Sequence, residues 1–233
     1  MQKRWIKYYY VNNTKLIIER GRATAELQLY VGLSEFNDMG FTLHFLRESD
    51  TFVDIGANIG VYTILASGVC KSHTISFEPI PSTCNILRDN IMLNRLAQNV
   101  EIYNCGIGEE ESVLSFSKDL DSINHVVIDK EEIETIDIKV KPLDEMLVAE
   151  NPSLMKIDVE GFETPVIKGA KKVLRKESLK AIIIELNGSS SRYGFDETVV
   201  HQTLIDYGFR LYSYNLFIRD LKEIEIYGSH NTI

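Results

Sequence analysis

The stretch TFVDIGANIGVYTILAS, residues 51–67, ends a short apolar run on a carboxylate, Asp54, and follows it with a turn of small residues, Gly56-Ala57-Asn58-Ile59-Gly60. A second apolar run, HTISFE, ends on Glu78, with Pro79 next. Asn104, Asp158 and Glu185 likewise fall at the ends of strand-like segments. In an open α/β sheet, ligands bind beyond the carboxyl ends of the strands, near the point where strand order reverses. A single carboxylate there is commonly a helix cap. Several on one rim repel one another, so a cationic or hydroxyl-rich ligand is needed to balance them.

Two nucleotide-type ligands suit a glycine turn between a strand and a helix. A dinucleotide brings a pyrophosphate and calls for G-x-G-x-x-G with a bare helix N-terminus. Here Asn58 stands where the second glycine would let the phosphate approach, and Asp54 would repel it. S-adenosylmethionine brings a sulfonium, an ammonium, a carboxylate and a ribose diol, and no phosphate. Asp54 can favour the positive charges, the turn amides can reach the methionine end, and Glu78 can accept from both ribose hydroxyls. The last feature is shared with NAD-binding folds, whereas D-x-G-x-N-x-G favours S-adenosylmethionine. A nicotinamide-dependent oxidoreductase is the alternative enzyme, and a non-catalytic module that keeps the fold as an interaction scaffold is the alternative without chemistry.

The elements that must position these groups alternate from Thr51 onward. TFVDI, HTISFE, VEIYN, LMKID and AIIIEL read as strands. NIGVYTILAS reads as a helix with Asn58 near its cap and Gly68 just past its end. PSTCNILRDNIMLN reads as a helix with Pro81 in its first turn and Cys84, Leu87 and Ile91 on one face. LDEML is a short helix that Asp144 could cap. Thr164 and Pro165 open a helix carrying Val166, Ile167, Ala170, Val173 and Leu174, and another runs from about Asp196 to Tyr207, stopped by Gly208. Strand–helix–strand repetition predicts an α/β fold with a mostly parallel sheet and helices on both faces. FRLYSYNLFI and EIEIYG predict an antiparallel edge at the C-terminus. SVLSFS and IDIKV read as edge strands flanking an acidic stretch, KDLDSINHVVIDKEEIE, which is a solvated loop or a substrate-reading insertion. The 233 residues suit one domain, with residues 1–50 as a cap, including a helix in EFNDMGFTLHFLR, and 51–233 as the ligand-binding core.

A formal net charge of −9 gives a nucleic-acid partner no general electrostatic help. The three cysteines, Cys70, Cys84 and Cys105, read as reduced core thiols, and the five histidines show no zinc-type spacing. MQKRWIKYYYVNN lacks the apolar core of a secretory leader, and no run approaches the roughly 18 apolar residues of a membrane helix. A cytoplasmic protein is expected.

Three stretches, FVDIGANIGVYTILAS, FEPIPSTCNILRDNIMLN and MKIDVEGFETPVIKGA, in this order and spacing, resemble the FkbM family of S-adenosylmethionine-dependent methyltransferases. The likeness runs from about Ser49 to Leu186. KIDVEG followed by a helix with Gly169-Ala170 is its most particular part. The resemblance implies a class I, Rossmann-like fold with seven strands and methyl transfer, usually to a hydroxyl oxygen of a small molecule, sugar or glycan. It implies Asp54, Gly56, Ala57, Asn58 and Gly60 as the cofactor turn, Glu78 with Pro79 beside it as the ribose contact, and Asn104 and Cys105 as readers of the adenine edge. Asn104 is equally a turn-forming asparagine.

The sulfonium already activates the methyl group. The protein must then exclude water, hold an acceptor oxygen in line with the S–CH3 bond and remove its proton, the last worth roughly 10²–10⁴-fold. Asp158 and Glu160, in KIDVEGFE, are the candidate catalytic pair, one as base and the other as orienter. Strand alternation puts both on one side if the chain stays extended to Glu160. Alternatively Asp158 only bonds the cofactor and Glu160 only satisfies backbone amides. His125 is a second base candidate or a solvated loop histidine, and Tyr193 lines the acceptor pocket or lies on the surface. Glu163 and Lys156 read as surface or structural. A divalent ion at two adjacent strand ends, lowering the pKa of the acceptor hydroxyl, is the less favoured arrangement because no tight ligand spacing is present. Oligomeric state is left open.

Overall fold

A computed structural model describes residues 5–19, 32–118, 125–127 and 134–225. In chain order the strands are β1 (Trp5–Tyr9), β2 (Lys15–Glu19), β3 (Thr51–Ile55), β4 (His73–Phe77), β5 (Val100–Tyr103), β6 (Gly106–Gly108), β7 (Ser112–Ser117), β8 (Thr135–Pro142), β9 (Leu154–Ile157), β10 (Ala181–Ile184), β11 (Tyr212–Asn215) and β12 (Asp220–Glu223). The α-helices are α1 (Phe36–Phe45), α2 (Val61–Thr63, continued by a π-wound stretch Ile64–Val69), α3 (Pro81–Leu93), α4 (Leu143–Met146), α5 (Glu163–Lys168) and α6 (Glu197–Asp206).

Mostly apolar runs make β3, β9 and β10 buried strands, and β4 is buried beside them with Thr74 and Ser76 inside, in a parallel sheet covered on both faces. The core sheet is parallel in the order β10-β9-β3-β4-β5. Because β3 is central and comes first, the chain leaves it toward β4 on one side and β9 on the other. The switch point therefore lies beyond the ends of β3 and β9. On one face Val53, Ile55, Ile75, Phe77, Met155 and Ile157 pack with residues of α4, α5 and α6. On the other, Phe52, Leu154 and Ile183 pack against α1 and α2.

The expected largely parallel sheet and antiparallel C-terminal pair are both present, but the sheet count differs. Among the described residues five strands form the core sheet, where seven are expected. β11 and β12 pair with each other as a separate hairpin, and β12 falls on DLKE rather than EIEIYG, part of which lies outside the described residues. SVLSFS and IDIKV are not edges of the main sheet. They pair as β7 and β8 in a three-stranded sheet with β6. Most of the acidic stretch between them lies outside the described residues.

Backbone geometry explains the other shifts. Asn58 and Gly60 are left-handed, at φ 51° and 89°, so α2 starts only at Val61. Gly68 lies inside the π-wound stretch rather than past the helix end. Asp144 does not cap its own helix: its carboxylate accepts the Lys172 and Val173 amides at 2.8–2.9 Å and starts the 3-10 turn Val173–Arg175. α5 ends at Lys168, so Ala170, Val173 and Leu174 pack from turns, still in the core. Pro81 opens α3, as the sequence predicts, and Asp196 precedes α6 as its cap, accepting from the Thr198 amide.

The N-terminal hairpin is fastened to α3 through backbone groups. Asn94 accepts from the Lys15 amide at 2.8 Å and donates to its carbonyl at 2.7 Å, and Asn90 accepts from the Ile17 amide at 2.6 Å. The three cysteines are free. No helix among the described residues is long and apolar enough to cross a membrane.

The tightest approach of backbone to a glycine is at Gly56. That glycine sits at φ 82°, and a Cβ there would lie 1.8 Å from the Asp158 carbonyl oxygen. Gly56→Ala is expected to lower stability by about 2–5 kcal/mol, from left-handed strain plus overpacking, read as a shift in the urea unfolding midpoint at unchanged m-value.

Candidate active site

Three chain segments converge beyond the sheet: the turn after β3, the loop after β4 and the turn after β9. Gly56 and Ala57 both donate amide hydrogens to the Phe77 carbonyl at 3.0 Å, which draws the first turn onto the second. Glu78, 5% exposed, then accepts the Asn58 amide on one oxygen and the Ile80 amide on the other, each at 2.9 Å. Burial raises its pKa to about 7 despite those two bonds. The Asn104 side-chain amide donates to the carbonyls of Glu78 and Pro79, both at 2.8 Å, and so ties the chain after β5 to the loop after β4.

The crevice between these segments is lined by Gly56, Asn58, Glu78, Cys105, Asp158 and Glu160, among others. Pro79 and Thr83 also line it. Thr83 was not anticipated. It is 3% exposed, and its hydroxyl has no hydrogen-bond partner among the described residues. A buried hydroxyl without a partner costs about 1–3 kcal/mol, so its place on the crevice wall fits a polar ligand. No periodicity signals it, because Thr83 reads as an ordinary first-turn residue of α3.

Other residues of the first turn stand back from the crevice. Asp54 is 1% exposed and lies under α2, where Thr63 donates to it at 2.6 Å. Burial raises its pKa, against the pull of Lys156 and the Thr63 bond. It does not line the crevice, so its influence on a ligand there is through space. Ala57 packs in the core against α3, and Gly60 makes room for Leu87 of α3, whose Cδ1 would lie 2.3 Å from an added Cβ.

β9 supplies the charged wall. Lys156, 3% exposed, is buried rather than at the surface. Its Nζ donates to Asp158 Oδ2 at 2.6 Å and lies 4.7 Å from the Tyr62 ring centre. Burial opposes its charge, but Asp158, Glu35 and Asp54 outweigh burial and hold the ammonium above its ordinary range. Burial likewise disfavours ionised Asp158, yet Lys156 and a hydrogen bond from Glu185 hold its carboxyl below the usual range. The only sequence signal for Lys156 is its register: it sits directly beside Asp54 in the parallel β3/β9 pair.

The chain does not stay extended to Glu160. β9 ends at Ile157, Glu160 is left-handed at φ 54°, and Gly161 follows at φ 97° against the Ser189 backbone. Alternation therefore does not apply, but the turn still brings Glu160 to the same crevice as Asp158. Burial first, then repulsion from Asp158 and Glu163, raises the Glu160 pKa to about 7. Glu163 is structural. Fully buried, it accepts from the Gly161 amide at 3.1 Å and the Ser190 hydroxyl at 3.2 Å, and so ties the turn to the segment after β10.

His125 is buried rather than solvated, and its backbone exchanges hydrogen bonds with Ser117 at 2.9 Å. The Tyr193 ring packs edge-on against Phe162 at 5.4 Å, and Phe162 lines the crevice. No group of three or more His, Cys, Asp or Glu suited to a metal ion occurs among the described residues.

The crevice measures about 70 Å³, below the roughly 300 Å³ of small-molecule sites, so a nucleoside-sized ligand must part its walls. A larger hollow of about 660 Å³ flanks β10, away from the strand ends. Three of its cations have partners already: Lys176 holds the carbonyls of Leu147 and Glu150, Arg210 pairs with Glu223, and Arg175 lies over Tyr207.

Lys156 is the one buried cation among these acids in the described residues, and removing it leaves them uncompensated. Lys156→Met is expected to cost about 3–5 kcal/mol by chemical denaturation, with Asp158→Asn added to it restoring part of the loss.

A family model described as the methyltransferase FkbM domain matches residues 54–211. The chain is 26% identical over 178 residues to a protein named methyltransferase 1 from Beauveria bassiana, covering 65% of this chain and 70% of that one. It is 29% identical over 143 residues to the hexuronic acid methyltransferase AglP of Haloferax volcanii, covering 60% and 57%. Among solved structures, a methyltransferase FkbM from Methylobacillus flagellatus superposes with a TM-score of 0.53 at 20% identity, covering 76% of this chain but 44% of that one. The likeness begins at Asp54, the carboxylate that opens the glycine turn, and the chain belongs to the FkbM family of methyltransferases.

Proposed function

We propose that this chain binds S-adenosylmethionine in the crevice beyond β3, β4 and β9 and methylates a hydroxyl oxygen of a small molecule or sugar, on a class I methyltransferase fold. One observation carries the reading: a crevice with several acids around one buried cation and an orphaned hydroxyl. A cationic ligand with hydroxyls answers both demands, whereas a pyrophosphate could accept from the hydroxyl but would add to the excess of acids. Family membership and the naming of AglP as a hexuronic acid methyltransferase support a sugar acceptor.

When bound, S-adenosylmethionine supplies an activated methyl group. The chain does the rest. Each Glu78 oxygen already accepts one amide, and a carboxylate offers about four lone-pair sites in all, so capacity for a ribose diol remains. Thr83 offers its unused hydroxyl, and the Gly56–Asn58 turn and Cys105 form the adjoining wall. Asp158, held ionised, is the fixed negative charge that favours the positive donor. Glu160, near pH 7, takes the acceptor proton, since a base works best with a pKa close to the working pH. It is partly exposed and can return that proton to water. Phe162 and the Tyr193 ring beside it give the acceptor an apolar wall.

Isothermal calorimetry is expected to show S-adenosylmethionine binding and no comparable binding of NAD; tighter NAD binding would end this reading. Glu160 must lose its proton to act. With a raised pKa, its ionised fraction grows as pH climbs through about 7, so kcat/KM should fall about tenfold per unit below that point. Glu160→Gln should cost roughly 10²–10⁴-fold in kcat and abolish this acid limb, while donor affinity stays within a few-fold. An unchanged pH profile in that variant would exclude Glu160 as the base.

A further inference from the structure

We infer that Tyr62 is a positioning residue for the crevice: its ring face holds the Lys156 ammonium on the α2 side of the sheet, so that Asp158 is presented to the ligand and the ammonium is not. Glu35, at the start of α1, fixes that ring through its hydroxyl, which makes the N-terminal cap part of the site. The inference deepens the methyl-donor reading and rests on it for its consequence, but not for its geometry.

The placement begins with register. In the parallel β3/β9 pair Asp54 lies beside Lys156, so both side chains leave the same face of the sheet. α2 covers that face, and two successive residues of it meet the pair. Thr63 donates to Asp54 at 2.6 Å, and the Tyr62 ring centre lies 4.7 Å from Lys156 Nζ. Tyr62 is buried. An ammonium over an aromatic ring is attracted by the negative face of the ring, and more strongly where water is excluded. The Tyr62 hydroxyl donates to Glu35 Oε2 at 2.7 Å. Glu35 stands at the N-cap position of α1 and makes no side-chain cap bond to its own helix; its carboxyl group reaches Tyr62 instead.

Lys156 therefore has two holders, the Tyr62 ring and Asp158 Oδ2, the latter at 2.6 Å. Side-chain exposure marks the boundary between them, at 4% for Lys156 and 26% for Asp158. Among the described residues Asp158 lines the crevice, whereas Lys156 and Tyr62 do not. A sulfonium donor needs this division, because Asp158 favours its charge and an ammonium opposes it. Lysine carries its charge on a flexible four-carbon stem. Without the ring, that stem is free to swing around Asp158 toward the crevice, where its charge competes with that of the donor. Tyr62 acts through Lys156 and touches no reactant.

The test measures, by calorimetry on the full chain, the affinity for S-adenosylmethionine and for its thioether product S-adenosylhomocysteine, which lacks the sulfonium charge. Tyr62→Leu removes the ring face. It should weaken S-adenosylmethionine about tenfold, the scale of one nearby like charge in a partly solvated site, while the thioether stays within about threefold. Tyr62→Phe keeps the ring and loses the Glu35 bond, and its preference between the two ligands should lie closer to wild type. Equal weakening of both ligands in Tyr62→Leu, or no weakening of either, would overturn the inference. A second readout needs no variant and no ligand. Protons above a ring face resonate upfield, so the Lys156 Hε and Nζ protons should lie upfield of those of the other lysines in the NMR spectrum of the resting protein. Ordinary lysine shifts at Lys156 would overturn the inference. If the wild type binds neither ligand, the proposed function fails, while the ring-current shift still decides where Lys156 is held.

Discussion

The site depends on a single ammonium group. Lys156 lies in register with Asp54 on the central strand and two residues before Asp158. Without a positive charge there, burying Asp54 and Asp158 together would be unfavourable by several kcal/mol. With it, one carboxylate becomes internal and the other faces the crevice. Thr63 and Ser76 complete the internal side: the Thr63 hydroxyl donates to Asp54 at 2.6 Å and lies 2.8 Å from the Ser76 hydroxyl. α2 is thereby tied to β3 and β4 by polar contacts in addition to its apolar packing on the sheet.

The same ammonium explains a division of labour among acids that look alike in the sequence. Asp54 is structural charge, Glu78 is a backbone organiser with spare acceptor capacity, Asp158 is a fixed anion, and Glu163 fastens a turn. Glu160 is set at the crevice without a strong counter-charge, since Arg192 and Lys156 only weakly offset its burial. Its left-handed backbone, followed by that of Gly161, is local strain of about 1–3 kcal/mol. Glu163 stabilises this turn from below by accepting the Gly161 amide.

Much of this was legible in the sequence. The alternation of apolar runs with helix-period segments gives the parallel core, and D-x-G-x-N-x-G with a carboxylate ending the next strand gives the location of the crevice. Three things were not legible, each for a physical reason. Whether Asp54 points into the crevice or under α2 depends on strand register, which motif spacing does not encode. Strand alternation misplaced the route to Glu160, because a left-handed residue other than glycine is invisible to periodicity. The depth of Lys156 was hidden because a lysine in a short apolar run reads as an edge or surface residue until its partners are known. The sheet count failed for a different reason. β7 and β8 have ordinary alternating patterns, and nothing local distinguishes a strand that joins the main sheet from one that starts another.

The asparagine clamp between α3 and β2 has a consequence for behaviour at high concentration. A hairpin strand normally leaves one row of amides and carbonyls open, and such a row invites pairing with a neighbouring molecule. On β2 that row is already occupied by Asn90 and Asn94, side chains that mimic a third strand without being one. The hairpin is thereby closed to intermolecular sheet growth along this side, at the expense of two polar groups in a helix that could otherwise have carried leucines.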